Sequence, residues 1–528
     1  MPGLNTDFQS CRPKGYKEKG DKYLPEAVKD LKRELKKAQR SFTDDALYLP
    51  DRQIGELAGV LVEFAEDIHN DIGIWKSYEH YNVEFFHTPL PITLQPGVKL
   101  EEKEMFKQRI HHLLWVLYSV LKPELIMKPD HKDLTLLTEA AADFLEERFA
   151  KMPHGSGIKT FLSRPIEYSW DVKGKLVWLG HHSYLFRNSF QEYTFEKCGG
   201  EVNIPIIDDF VCQENTCWSG LGAIDILAAI LDITDKQRSQ LRSWYERHMA
   251  YYRVLDVKGP VIEVMNLIND KPYIVRVGDG KNPFEPHKII FGSLTPWNEE
   301  WYWSGEQKIC PDLPGKVIGE VKEHFFRELS KIVYRYCEEL AKEAREMISS
   351  YYRRFVEYNG DDFVMYPDGA SLSAAWKKQY PFIYSPQSEA APSTGKGKGL
   401  KAEGVKESKL PELSLSPEIE ESRYGIGVYF NPDEGEEIML GFNEVVTGLR
   451  KKGIDLNADE ADSIMGLIRS DAISPGFVKK LVQKYGDESI AAICLIDRLQ
   501  HPYYLDYVLR RNKGHFYRNR YPSISLAL

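Results

Sequence analysis

Acid, imidazole and thiol side chains recur in this chain at spacings that could hold a metal ion. In L-V-E-F-A-E-D-I-H-N-D, Glu63, Asp67 and Asp71 fall four apart, which stacks them on one helix face with Glu66 beside them. Neighbouring helical patterns carry His111-His112 and the set Glu139, Asp143 and Glu146. Carboxylates and imidazoles projecting from antiparallel helices are how di-metal bundles assemble, and a metal held there would activate water for hydrolysis. The plainer reading is a solvated acidic face opposite an apolar stripe. A second acidic pair, Asp208-Asp209 in I-P-I-I-D-D-F, follows a β-rich run and could bind a divalent ion. It stands alone, and Cys212-x4-Cys217 without a partner pair is no zinc signature, so an acidic turn capping the next helix is the favoured reading. His181-His182 point in divergent directions on a helix and read as satisfied histidines. The chain has no G-x-S-x-G elbow, Walker loop, H-E-x-x-H or C-x-x-C. Neither a catalytic centre nor a cofactor is expected from motifs alone.

Aromatic and basic clusters point toward binding instead. From His287 to Gln307, three tryptophans (Trp297, Trp301 and Trp303) surround a Pro-Trp-Asn-Glu turn. Tryptophan is costly to leave in water, so the cluster marks a packing centre or a binding face. At the C-terminus, Arg510, Arg511, Lys513, Arg518 and Arg520 are interleaved with Tyr507, Phe516, Tyr517 and Tyr521. Cations with aromatics suit phosphate contact plus base stacking, as in RNA binding. They equally suit docking onto an acidic protein surface, including the chain's own N-terminal part.

The elements that would position these residues follow from periodicity and composition. A chain of 528 residues is too long for one core and implies about three or four domains. Its net charge of −10 argues against coating nucleic acid with the whole surface, although a local basic patch stays open. The N-terminal residues lack the pattern of a secretory signal. The best apolar run, L-G-A-I-D-I-L-A-A-I-L-D-I, is broken by Asp225 and Asp232, so no membrane span is expected. Seven scattered cysteines read as reduced thiols and suggest a cytoplasmic protein.

The pattern predicts a mainly α, multidomain (α+β) protein. Residues 1–155 read as a helical N-terminal domain, with Leu57, Val60, Leu61, Phe64, Ile68 and Ile72 at helical spacing. Residues 156–257 continue helical through Trp178 to Phe190, Leu221 to Leu231 and Lys236 to Tyr252, the last opened by a capping box of Thr234 and Gln237. Residues 258–312 hold four short β-rich runs, a meander closing as a small barrel or capped sheet that the tryptophans plug or rim. Residues 313–385 supply a long bracing helix, Lys316 to about Tyr358, and a return segment. Residues 386–420, rich in Pro, Gly, Ser and Lys, read as a flexible linker, and the G-K-G-K-G inside it as a solvated tether. Residues 421–528 read as a helical C-terminal domain ending in the basic-aromatic tail. Its expected helix starts are Asn431-Pro432-Asp433-Glu434, Asn457 with Glu460, Ser474-Pro475 and Asp487-Glu488, and its expected stops are Gly453, Gly486 and Gly514.

Three blocks, residues 61–75 (L-V-E-F-A-E-D-I-H-N-D-I-G-I-W), 109–115 (R-I-H-H-L-L-W) and 142–153 (A-D-F-L-E-E-R-F-A-K-M-P), make the first third resemble an uncharacterised bacterial family found mainly in Bacteroidetes. R-S-W-Y-E-R-H-M-A-Y-Y-R-V (242–254), leading into β-rich sequence that ends W-Y-W-S-G, is similar to accessory modules of SEC-C-motif proteins. The SEC-C cysteines are missing, so that resemblance implies no metal site, and neither resemblance implies an activity. The expectation is therefore a non-enzymatic, cytoplasmic binding or adaptor protein with a protein or ribonucleoprotein partner, RNA or the ribosome being reached through the basic C-terminus. The alternative is a metal-dependent hydrolase or nuclease built on the helical carboxylates.

Overall fold

The computed structural model describes residue 8 and residues 10–122, 125–278, 282–311, 313–328, 338–384, 415–518 and 525–527. The chain forms two units: Met1–Glu338 with Ile490–Arg518, and Glu339–Ser489 with Asn519–Leu528. Residues 421–528, expected to be one domain, are thus divided, because residues 490–518 return to the first unit.

The first unit opens with six helices: α1 (Leu24–Gln39), α2 (Asp51–Asn70), α3 (Ile74–Phe86), α4 (Glu102–Leu121), α5 (Lys132–Phe149) and α6 (Gly157–Leu162). On α2 the expected apolar set Leu57, Val60, Leu61 and Phe64 is buried, and polar residues are drawn in with it. Five more follow: α7 (Ser169–His182), α8 (Arg187–Cys198), α9 (Ile204–Gln213), α10 (Ala223–Ile230) and α11 (Asp235–Ser243). The helix expected through Phe190 stops at His182, and α8 begins at Arg187. The Thr234–Gln237 capping box is present, with the Gln237 amide donating to Thr234 Oγ1 at 3.2 Å. It starts a helix that ends at Ser243 and not at Tyr252. Residues 249–257 are strand, because Tyr252 and Arg253 pair with strands on both sides.

The β module is a closed five-stranded barrel. Its strands are β1 (Met249–Lys258), β2 (Val261–Asn266), β3 (Pro272–Arg276), β4 (Ile289–Trp297) and β5 (Glu300–Cys310), ordered β1-β2-β3-β5-β4. All neighbours are antiparallel except β3 and β5, so the last strand closes the ring beside the third. Burial alternates along β2, which places Ile262 and Val264 inside. After it comes α12 (Gly315–Glu328), where Lys322 pairs with Asp270 at 2.7 Å.

The second unit contains α13 (Glu338–Asn359), β6 (Phe363–Tyr366), α14 (Gly369–Tyr384) and α15 (Pro417–Glu420). Residues 329–337 of the expected long helix lie outside the described residues, as do residue 385 and 386–414 of the expected linker. The last residues of that linker are packed: Leu415 and Ile419 join Phe355, Leu372, Ile426, Val428, Phe430 and Ile438 in one core. The C-terminal region is not purely helical. Asn431-Pro432-Asp433-Glu434 forms the turn of a hairpin between β7 (Ile426–Asn431) and β8 (Gly435–Leu440) instead of starting a helix. Asn431 Oδ1 accepts the Asp433 amide at 3.0 Å, and Gly435 takes a left-handed φ of 109°. With β9 (Ser525–Ala527) the sheet order is β6-β7-β8-β9. Helices α16 (Phe442–Arg450), α17 (Ala458–Arg469), α18 (Pro475–Tyr485) and α19 (Glu488–Cys494) follow the hairpin. Asn457 and Ser474 cap α17 and α18 as expected, and Gly486 ends α18. Gly514, an expected stop, opens a 3-10 turn after α20 (Tyr504–Lys513), which belongs to the first unit.

Candidate functional site

The feature with the strongest binding chemistry is a cleft of about 630 Å³ in the first unit. Two helices bring basic pairs to it at i, i+4 spacing: Lys76 and His80 from α3, and Arg238 and Arg242 from α11. Lys159 of α6 supplies a fifth basic side chain. The apolar and aromatic lining comes from Ile72, Tyr81, Ala229 and Ile230. Four full cations therefore surround one carboxylate, Asp71, in a chain whose net charge is −10.

Local interactions aim these groups. Asp67 on α2 is 2% exposed and accepts the backbone amides of Gly73, Ile74 and Trp75 at 2.9, 3.2 and 2.7 Å. It thereby caps α3 and fixes the direction in which Lys76 and His80 leave that helix. Asp71 ends α2 in the left-handed region, φ 51°. From there its carboxylate bridges Lys76 Nζ at 2.7 Å and Lys159 Nζ at 2.8 Å. Those two ammonium groups, Lys159 first, hold the Asp71 carboxyl down at about 2, so it stays ionised at any ordinary pH. Arg242 donates to Tyr81 Oη at 2.7 Å, and Tyr81 donates onward to the Asp225 carbonyl at 3.1 Å. Arg238 donates to the Ile233 carbonyl at 3.2 Å. Each arginine keeps further N–H groups beyond these single bonds. A second cavity of about 380 Å³, lined by Gln95, Gln108, His111, Gln500 and His501 among others, has Lys107 as its one cation against Glu104 and Asp130. It lacks the positive excess.

The residues singled out by sequence fall elsewhere. Trp297 is fully buried and donates to the Ile166 carbonyl at 3.2 Å, so it serves as packing. Trp301 and Trp303 are half-buried, edge-on to Tyr273 and Tyr252 at 4.9 and 5.4 Å. Trp303 also leans over Gly292, where an added Cβ would meet its ring at 3.0 Å. Together these three do not make an open aromatic face.

The basic tail is folded onto the first unit. Arg510 lies between the rings of Phe85 and Tyr517, at 3.7 and 4.2 Å, and burial lowers its guanidinium from the ordinary value. Arg511 reaches Ser119 Oγ and the Trp115 ring. Lys513 is fully buried. Arg518 covers the Tyr245 ring at 3.7 Å and donates to the Gln213 and Glu214 carbonyls at 2.7 and 3.2 Å. Arg520 lies outside the described residues.

The acidic candidates are also engaged one by one. Glu63 pairs with Arg187 at 2.5 Å, and Glu66 pairs with Arg12 at 2.8 Å. Among the described residues, no group of three His, Cys, Asp or Glu side chains converges where a metal ion could sit. Asp208-Asp209 sit within α9, where I-P-I-I forms the first helical turn and not the expected β-rich run. They bind Arg247 there, and Asp208 also binds Lys173 at 2.8 Å. His112 is fully buried against Tyr78 Oη at 2.8 Å, and the rings of His181 and His182 lie 4.2 Å apart, tilted by 33°.

No family model matches the chain, and neither a curated protein nor a solved structure matches it. The reading of the cleft therefore rests on its own geometry. Sequence reasoning missed it, although the Lys76/His80 and Arg238/Arg242 pairs were visible as i, i+4 basic pairs. Nothing in the order of residues brings α3 opposite α11, about 160 positions away.

Proposed function

We propose that the protein is a non-enzymatic binding protein that captures an anionic ligand in the cleft between α3, α6 and α11. The observation that carries this reading is the excess of four cations over one carboxylate around a cavity of small-ligand size. Converging cations concentrate the positive field there, which draws in an anion despite the acidic remainder of the molecule. Bidentate guanidinium forks at Arg238 and Arg242 suit phosphate or carboxylate oxygens.

The adaptor reading, with a protein or ribonucleoprotein partner, is retained here in its coarser form, and its contact point moves from the tail to the cleft. A cytoplasmic setting is part of the proposal and fits the six described cysteines, all free. No helix among the described residues is long and apolar enough to cross a membrane.

Calorimetric titration of the full chain with inorganic pyrophosphate tests the proposal. Binding that weakens at least about tenfold in Arg238→Glu/Arg242→Glu, with an unchanged melting profile, is the expected result. Equal binding by both proteins would move the site elsewhere, and no binding by either would remove the reading.

A further inference from the structure

We infer that the ligand is a compact molecule with two neighbouring phosphoryl groups, and that one of them displaces the Asp71 carboxylate from between Lys76 and Lys159. This inference rests on the anion-binding reading above and narrows it to one ligand class.

Three observations carry it. The cleft contains two separate cationic positions: the Lys76/Lys159 pair, and the Arg238/Arg242 pair one helical turn apart on α11. The first position is already filled by an internal anion, because the Asp71 carboxylate bonds both ammonium groups, one through each oxygen. A phosphoryl group has the same bridging geometry with more charge and a third oxygen, so it competes for the same two donors. The second position holds no carboxylate, since Asp71 is the one acid in the lining. An anion there completes the donors that Arg238 and Arg242 leave over. Ile72, Ala229 and Ile230 line the same cleft and would accept the less polar body of the ligand.

Compactness follows from shape and charge. A nucleic-acid strand needs cations repeated along a track, with affinity set by many phosphate contacts. Here the four cations line one open cleft of about 630 Å³ and do not repeat along a track.

Asp71 gives the sharpest test because its backbone already occupies the left-handed region, which asparagine adopts more readily than most other non-glycine residues. Asp71→Asn leaves that turn intact and frees both lysines. The experiment is calorimetry on the full chain with pyrophosphate, orthophosphate, citrate and a 12-nucleotide single-stranded RNA, each at low and moderate salt. The wild type is expected to bind pyrophosphate about tenfold or more tightly than orthophosphate. Asp71→Asn should bind pyrophosphate about threefold or more tightly than wild type, and Lys76→Gln/Lys159→Gln about tenfold more weakly. Preference for RNA or citrate over pyrophosphate, or equal affinity for orthophosphate, overturns the diphosphoryl assignment and leaves anion capture standing. Weaker pyrophosphate binding by a folded Asp71→Asn overturns the displacement step. Absence of binding to every anion overturns both readings together.

Discussion

The C-terminal tail and the α3–α11 cleft use the same side-chain chemistry to opposite ends. In the tail, Arg510, Arg511 and Arg518 each lie over an aromatic ring, and Arg511 and Arg518 also bond oxygens of the first unit. In the cleft, Lys76, Lys159 and Arg242 are exposed, and Arg238 is half-buried beside open space. The difference lies in what else is nearby. The tail cations are covered by rings of distant segments, Phe85, Trp115 and Tyr245, with Tyr517 added from the tail itself, and a desolvated cation over a ring contributes up to about 2 kcal/mol. The cleft cations are less fully covered: Arg242 lies 5.7 Å from the centre of the Tyr81 ring and the two lysines share Asp71, while their long stems hold the charge toward solvent. Density of charge along the sequence is therefore a poor guide to charge available for a ligand.

That contrast can be broken most severely by acid. His112 lies under the tail, its ring 6.1 Å from Tyr507, and burial, followed by the positive charge of Arg511, lowers it to about 3. The unfolded imidazole titrates near 6.5, so between those values the unfolded chain binds the proton and the folded chain does not. The His112 contribution to stability should be constant above about pH 6.5 and fall by several kcal/mol as pH drops toward about 3, superposed on those of other shifted groups such as Glu66 and His181. Urea unfolding across that range should show the slope, and His112→Gln should flatten it. An unchanged slope in that variant would place the acid sensitivity in another group.

Next in size is the crossing of the tail over the loop before α10. Gly220 has a φ of 71°, and a Cβ there would sit 2.3 Å from the Arg510 carbonyl oxygen and 2.8 Å from Gly514 Cα. Gly220→Ala should cost about 3 kcal/mol in denaturant unfolding, because backbone would have to move on both sides. Arg510→Ala and Arg518→Ala should each cost about 2 kcal/mol, through lost ring contact and, for Arg518, orphaned carbonyl groups. Cleft substitutions such as Arg242→Ala should stay within about 0.5 kcal/mol, since that side chain is exposed. Comparable losses in both regions would erase the distinction between structural and available cations. Between these lies Thr234→Ala, which removes the cap of the helix bearing Arg238 and Arg242. It should lower stability by about 1 kcal/mol and weaken anion binding without abolishing it.

Local signals were legible in the sequence where one segment decides its own structure. The Thr234 and Asn457 capping boxes, the amphipathic face of α2 and the alternation through β2 and β3 all depend on neighbours within a few residues. Where two long-range partners compete with a local pattern, the reading failed. Tyr251 and Tyr252 continue the helical period of residues 236–248, yet pairing of Tyr251 with β4 and of Tyr252 with both β2 and β4 draws them into the barrel. Asn431-Pro432-Asp433 carries a helix-start composition that a hairpin turn shares. The tail showed its chemistry but not its destination, because docking onto Phe85, Ser119 and Tyr245 spans hundreds of residues. The cleft gave no signal beyond two ordinary basic pairs, since only the packing of α3, α6, α10 and α11 makes them neighbours.

Arginine modification by phenylglyoxal, mapped by mass spectrometry with and without pyrophosphate, tests most directly which cations are free. Arg238 and Arg242 should react first and be protected by pyrophosphate, while Arg510, Arg511 and Arg518 react slowly and are indifferent to it. Rapid reaction of the tail arginines, with pyrophosphate protecting them and leaving Arg238 and Arg242 unprotected, would contradict the account.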